Sequence, residues 1–239
     1  MTLGAEESPS SADDQKRAAG KAAAALVEDR MTVGLGTGTT AAWFVKTLAA
    51  RRLAVTCVAT SEATANLARS LGMAIVDLDQ AGAVDLTVDG ADELDPQLRL
   101  IKGGGAALLR EKLVWQASAQ CIVIADESKL VKKLGKFPLP IEVVTFGHKT
   151  TARRIRSVLA SFDIEAAPLL RTKGASPVST DSGNFIYDVR CEAIAEPRAL
   201  GEALKAITGV VDHGLFLGLA SEAFVGGSAG VSTIRPKGS

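Results

Sequence analysis

The chain has 239 residues, 47% apolar and 23% charged, which predicts one large or two small globular domains needing neither disulfide nor metal to close a core. Lys plus Arg (27) equals Asp plus Glu (27) and only ten residues are aromatic, so no nucleic acid or membrane partner is expected. The two histidines, His148 and His213, share no ligand-like spacing; this argues against a zinc enzyme or a Ser-His-Asp hydrolase and leaves acid–base chemistry to carboxylates and lysines.

In chain order, residues 1–14 read as a disordered acidic tail without a signal-peptide core. A helix is predicted from Asp14 to Glu28, capped by Asp13 or Asp14. Met31 to Leu35 reads as a buried strand, Ala41 to Arg51 as a helix and Leu53 to Ala59 as a strand. Ser61 caps a helix through Ser70. Ala74 to Asp77 and Asp85 to Val88 are two short strands, Ala106 to Ser118 a helix and Cys121 to Ala125 a strand. Strands alternating with helices imply a parallel sheet with right-handed crossovers.

The pattern changes at Lys136-Phe137-Pro138-Leu139-Pro140, which reads as a domain junction. A strand (Ile141 to Thr145), a helix (Thr151 to Leu159), a hairpin-like Thr180 to Asn184, a strand (Phe185 to Val189) and a helix opened by Pro197 follow. The expected fold is α/β, a Rossmann-like parallel-sheet domain (15–135 plus 210–228) with a smaller α+β, ferredoxin-like domain (136–209). Val210 to Ala220 is expected to return to the first sheet, and 229–239 to be loose. Cys57, Cys121 and Cys191 are odd in number and widely spaced. They read as buried hydrophobes in a reducing compartment, so the cytoplasm is expected.

Four stretches can carry chemistry. Gly34 to Thr40 places glycines and hydroxyls between a strand and a helix, where backbone N–H groups and the helix dipole favour an anion such as phosphate. It is neither a dinucleotide fingerprint, since Thr39 takes the third glycine's place, nor a Walker loop; glycines serving only a tight turn explain it equally well. Asp89-Gly90-Ala91-Asp92 follows a strand's C-terminal end, where open α/β sheets bind ligands. Lys102-Gly103-Gly104-Gly105 puts a cation beside bare N–H groups, suited to an oxyanion. The helix after it carries Glu111, which on spacing alone reads as a surface residue paired with Lys112 or Arg110. Asp126 to Lys129 ends another strand, with Lys129 a candidate phosphate partner.

Together GLGTGTTA (34–41), TSEAT (60–64), VDGADELD (88–95), IKGGGAALLREK (101–112) and ADESK with LGKFPLPIEV (125–143) resemble ribose-5-phosphate isomerase of the A type, and TDSGNFIYDV (180–189) and GVVDHGLF (209–216) extend the likeness. The resemblance implies interconversion of D-ribose 5-phosphate and D-ribulose 5-phosphate in a cytoplasmic homodimer or homotetramer, without cofactor or metal. It implies that Thr37, Gly38, Thr39 and Thr40 hold the phosphate with Lys129 and Lys16. Asp89 to Asp92 and Lys102 to Gly105 would line the sugar, and Glu111 would be the base. Lys102 would stabilise the enediolate oxyanion, and Asp89 and Asp92 would move hydroxyl protons. Thr39 stands where the family often has serine, and Thr208 where proline is common. An amino-sugar-phosphate deaminase is disfavoured because no histidine lies near the acidic cluster, and a sugar-phosphate sensor because no DNA-binding segment is visible. A nicotinamide enzyme is disfavoured by Thr39.

Overall fold

Ser11 opens the first helix in the computed structural model, which describes residues 11–236. α1 (Ala12–Ala24) starts earlier than expected because Ser11, rather than Asp13 or Asp14, is the N-cap: its Oγ accepts from the Asp14 N–H at 3.1 Å. Residues 11–14 of the expected tail are therefore cap and helix, and its remainder lies outside the described residues. Ser11→Ala should cost about 1 kcal/mol and lower Tm by about 2–4 °C in a thermal melt. Ala19, Gly20, Ala23 and Ala24 give α1 a small-residue face. At Gly20 a Cβ would stand 2.8 Å from the Phe44 backbone nitrogen, so only glycine allows this approach.

Next along the chain come β1 (Thr32–Leu35), α2 (Thr39–Arg51), β2 (Thr56–Ala59), α3 (Glu62–Ser70), β3 (Val84–Gly90), α4 (Leu108–Gln116) and β4 (Ser118–Asp126). The smaller unit contains β5 (Leu139–Val143), α5 (His148–Ala160), β6 (Leu169–Leu170), β7 (Phe185–Val189), α6 (Pro197–Lys205) and β8 (Val210–His213), and β9 (Glu222–Gly227) and β10 (Gly230–Ile234) finish the described chain. The predicted strand at Ala74 to Asp77 is reduced to one bridge, Ile75 with Cys57, because Asp77 instead opens a helical turn, accepting from Gln80 and Ala81 N–H at 3.0 Å.

The fold is α/β with a mostly parallel central sheet, ordered β10-β9-β4-β3-β1-β2. Only the β9–β10 pair is antiparallel. α1, α2 and α3 cover one face through Ala23, Phe44, Leu48 and Ala68, and Trp115 of α4 packs on the other with Phe216, ring centroids 5.5 Å apart. From β1 the chain goes to β2 on one side and later to β3 on the other. The sheet's switch point thus lies at the carboxyl ends of β1 and β3, where doubly wound sheets leave a crevice.

The second sheet is antiparallel, ordered β8-β5-β7-β6, and with α5 and α6 makes the βαββαβ ferredoxin-like unit. Two boundaries differ from the sequence reading. β8 belongs to this sheet, His213 pairing with Ile141, whereas Val210 to Ala220 was expected in the first; β9 alone makes the return. The expected loose stretch from 229 holds β10, zipped from Gly227↔Gly230 to Ala223↔Ile234, so the β-branched Val231, Thr233 and Ile234 outweigh the Gly/Ser-rich turn before them. No helix among the described residues is long and apolar enough to cross a membrane.

Candidate active site

The β1–β3 crevice begins with a close approach. Gly36 follows β1, and a Cβ there would lie 2.2 Å from Asp89 Oδ1. The loop can therefore lay its Thr37 N–H on Asp89 Oδ1, at 3.0 Å. The Gly90 N–H donates to the same oxygen at 2.7 Å. Thr37 Oγ1 turns away from the crevice into a hydroxyl cluster with Thr60 (2.8 Å), Ser61 (2.8 Å) and Thr64 (3.2 Å), which anchors the loop to α3. Gly38, Thr39 and Thr40 then present the first N–H groups of α2, which have no partner within a helix.

A cavity of about 120 Å³ opens here, and its wall holds every residue that the resemblance implies for the site except Asp89. Thr37, Gly38, Thr39 and Thr40 form one end, with Lys16 from α1 and Lys129 from the turn after β4 beside them. A Gln15 to Glu127 hydrogen bond of 2.8 Å ties α1 to that turn and brings the two lysines to the same rim. Gly90, Ala91 and Asp92 form the middle, and Lys102, Gly103, Gly104, Gly105 and Glu111 the far wall. Neither histidine reaches the cavity: His148 bonds Tyr187 at 2.8 Å, and His213 packs against Gly201. Among the described residues no group of His, Cys, Asp or Glu converges to hold a metal ion.

The far wall is a buried charge cluster. Lys102 Nζ donates to the Gly90 carbonyl at 2.6 Å and stands 3.0 Å from Asp89 Oδ2 and 3.3 Å from Glu111 Oε1. Asp89 is wholly buried below the cavity floor. Glu111 is 4% exposed, which corrects its expected surface pairing with Lys112 or Arg110. Those neighbours look elsewhere, Lys112 to Asp212 (2.5 Å) and Arg110 to Glu62 (2.8 Å). Glu111 Oε2 is buried with no hydrogen-bond partner.

Burial pushes the Glu111 carboxyl up to about 8, with the Asp89 charge adding to the rise and Lys102 opposing it. Burial likewise raises Asp89 against the pull of Lys102. Burial alone would lower Lys102, but Asp89 and Glu111 overcome it and hold the ammonium above its usual value. One cation thus serves two carboxylates, and the second carboxylate keeps an oxygen free to take a proton.

The family model for ribose 5-phosphate isomerase A (phosphoriboisomerase A) matches residues 56–230. The chain belongs to the ribose 5-phosphate isomerase A family. It is 63% identical to ribose-5-phosphate isomerase A of Caulobacter sp. (strain K31) over 226 residues, 95% of this chain and all of the relative. Ribose 5-phosphate isomerase from Plasmodium falciparum superposes with a TM-score of 0.88 at 35% identity, over 95% of this chain and 100% of that one. A D-ribose-5-phosphate isomerase in complex with phospho-erythronic acid also gives 0.88, at 39% identity over 94% and 99%.

Sequence reading missed how the wall is held. Asp181 reaches the Glu62 N–H at 2.8 Å, and Arg171 reaches the glycine turn at 2.8 Å. Asp181 stood inside a stretch already singled out, TDSGNFIYDV; Arg171 had no local signal, its partners on the glycine turn being backbone carbonyls far along the chain.

Proposed function

We propose that this chain interconverts D-ribose 5-phosphate and D-ribulose 5-phosphate by carboxylate-mediated proton transfer through a cis-enediolate. The observation that carries this reading is Glu111 Oε2, buried and unpartnered on the wall of the cavity that holds Lys102 and the α2 N-terminus. The phosphate lies on the N–H groups of Gly38, Thr39 and Thr40, drawn by Lys16 and Lys129. After ring opening, Glu111 takes the C2 proton, and the electron pair forms the C1–C2 double bond as charge moves to O1. Lys102 and the glycine N–H groups stabilise that oxyanion, a contribution typically worth about 3–4 kcal/mol. Glu111 returns the proton to C1, and the O2 hydroxyl proton passes to O1 as the ketone forms at C2, so that O1 ends as a hydroxyl and no net proton is gained or lost. Asp92 is on the cavity wall and is the carboxylate that meets sugar hydroxyls; Asp89, beneath the floor, acts through Lys102.

Incubation with ribose 5-phosphate, with EDTA and without nucleotide, should yield the ketose; no ketose would overturn the reading. Lys129→Ala should raise KM about tenfold with a smaller loss of kcat, because the phosphate does not react yet helps to position the sugar. Steady-state kinetics checks this, and an unchanged KM would remove Lys129 from the phosphate site. We place the enzyme in the cytoplasm, in keeping with three free, buried cysteines. We assign it as a homodimer or homotetramer, for which Phe146, 93% exposed at the end of the small sheet, offers an apolar contact.

A further inference from the structure

One side chain of the small unit reaches into the wall of the cavity from behind. Arg171 follows β6, and its backbone is held on both sides, by the Ile186 carbonyl at 2.8 Å and the Val178 N–H at 2.9 Å. Its Nε and Nη2 donate to the two oxygens of Asp188 on β7, at 2.8 and 2.6 Å, a planar two-point grip that fixes the guanidinium. Nη1 points the other way and donates to the carbonyls of Gly103 (2.8 Å) and Gly104 (3.2 Å).

Those two carbonyls set the aim of two N–H groups. No cis peptide occurs among the described residues, and in a trans peptide the C=O and the following N–H point to opposite sides. Holding the Gly103 carbonyl on Arg171 sends the Gly104 N–H toward the cavity, where it donates to Asp92 Oδ2 at 2.8 Å. Holding the Gly104 carbonyl does the same for the Gly105 N–H. Gly105 lies on the cavity wall, and its N–H finds no acceptor among the described residues. The Ala106 N–H closes the turn on the Gly103 carbonyl at 3.0 Å, but the Gly104 carbonyl has no such partner within the turn, and three successive glycines leave its plane easy to rotate. Arg171 supplies the anchor outside the turn, and it holds both carbonyls at once.

We propose that Arg171, gripped by Asp188, is a positioning residue that aims the Gly105 N–H at the oxyanion of the enediolate and, through the Gly104 N–H, holds Asp92 in place, so that the small unit takes part in the chemistry through the glycine turn. This rests on the isomerase reading above. Arg171 touches no substrate atom; its effect is felt where negative charge develops at the C1–C2 end of the sugar and not at the phosphate.

That difference makes the test. Two probes separate the ends of the site: inorganic phosphate, which samples the α2 N-terminus alone, and 4-phospho-D-erythronate, whose carboxylate puts negative oxygens where the enediolate carries its charge. In a folded Arg171→Met enzyme, kcat should fall about 10- to 100-fold with KM within about threefold of wild type. Affinity for phospho-erythronate should fall about tenfold while that for phosphate stays within about twofold. Asp188→Asn keeps the guanidinium but loosens its grip, and should shift the same quantities in the same direction by less. If Arg171→Met does not fold, Asp188→Asn carries the comparison. A variant that melts earlier yet keeps kcat and phospho-erythronate affinity would make the contact a staple between units and overturn the proposal. Equal weakening of both probes would overturn it as well, by showing a general collapse of the cavity. A wild-type protein that forms no ketose overturns the isomerase reading, whereas an active wild type with an undiminished Arg171→Met overturns this inference alone.

Discussion

Glu111→Gln should lower kcat by about a hundredfold or more and leave KM within about twofold of wild type. The substitution keeps the shape and the oxygen facing Lys102 Nζ, 3.3 Å away, but removes the group able to accept a proton. The base is used in the transition state and contributes little to holding ground-state substrate, so the loss belongs in kcat. Wild-type activity should rise with pH on its acid side, because Glu111 must be ionised and burial pushes its carboxyl up to about 8. The apparent midpoint belongs to Glu111 and Asp89 together, since each raises the other's affinity for a proton. The same displacement acts on stability. Folding raises this pKa from 4.5 to about 8, so the native state binds a proton that the unfolded chain releases, and stability falls as pH rises through that interval. Glu111→Gln removes this penalty. The variant should be more stable than wild type at pH 8, by about 1–2 kcal/mol, with the advantage shrinking as pH falls and gone below about pH 3.5, where the carboxyl is neutral in both the folded and the unfolded wild type. A folded Glu111→Gln enzyme with near-normal kcat would sink the mechanism, and one less stable than wild type at pH 8 would sink the account of the buried charge.

The misreading of Glu111 shows where sequence patterning stops. Its neighbours Arg110 and Lys112 offer cations within one residue, and a local reading pairs them. In the fold Arg110 is drawn to Glu62 on α3 and Lys112 to Asp212 on β8, which leaves Glu111 facing inward. That outcome depends on a strand about a hundred residues later, which sequence reading assigned to the other sheet. By contrast the βα alternation from β1 to β4 was legible, because each unit buries a β-branched run and ends in glycine or a capping hydroxyl, as at Gly36 and Ser61. The glycine-rich loops were legible as anion-binding candidates for the same local reason. Arg171 was not, since its contacts with the glycine turn are to backbone carbonyls, which carry no residue identity for a pattern to find, and its carboxylate partner Asp188 lies on another strand.

Lys102→Met should be the most damaging single change in the site, costing both rate and stability. The lysine is 2% exposed, and its ammonium is within 3.3 Å of two buried carboxylates while donating to the Gly90 carbonyl at 2.6 Å. Methionine matches much of the stem's volume, so the loss is of charge and hydrogen bond rather than of packing. Two carboxylates then share an apolar pocket beside Trp115 and Phe216 with no cation between them. Breaking a buried pair in this way costs about 3–5 kcal/mol, and losing an oxyanion donor costs about 10²–10³ in kcat. The stability loss should depend on pH in a definite direction. Without Lys102 the folded-state pKa values of Asp89 and Glu111 rise further, and the deficit relative to wild type grows where the variant still holds protons that folded wild type has released, that is, as pH rises through the wild-type values, about 8 for Glu111. Urea unfolding at about pH 6 and about pH 9 reads this directly: the gap between the two proteins should be wider at the higher pH. Methionine cannot restore the donor to the enediolate at either pH, so kcat should stay low throughout. A deficit that does not change with pH would mean that Lys102 supports the fold by packing alone. A folded Lys102→Met enzyme with near-normal kcat would remove the ammonium from the oxyanion site and leave that task to the glycine N–H groups.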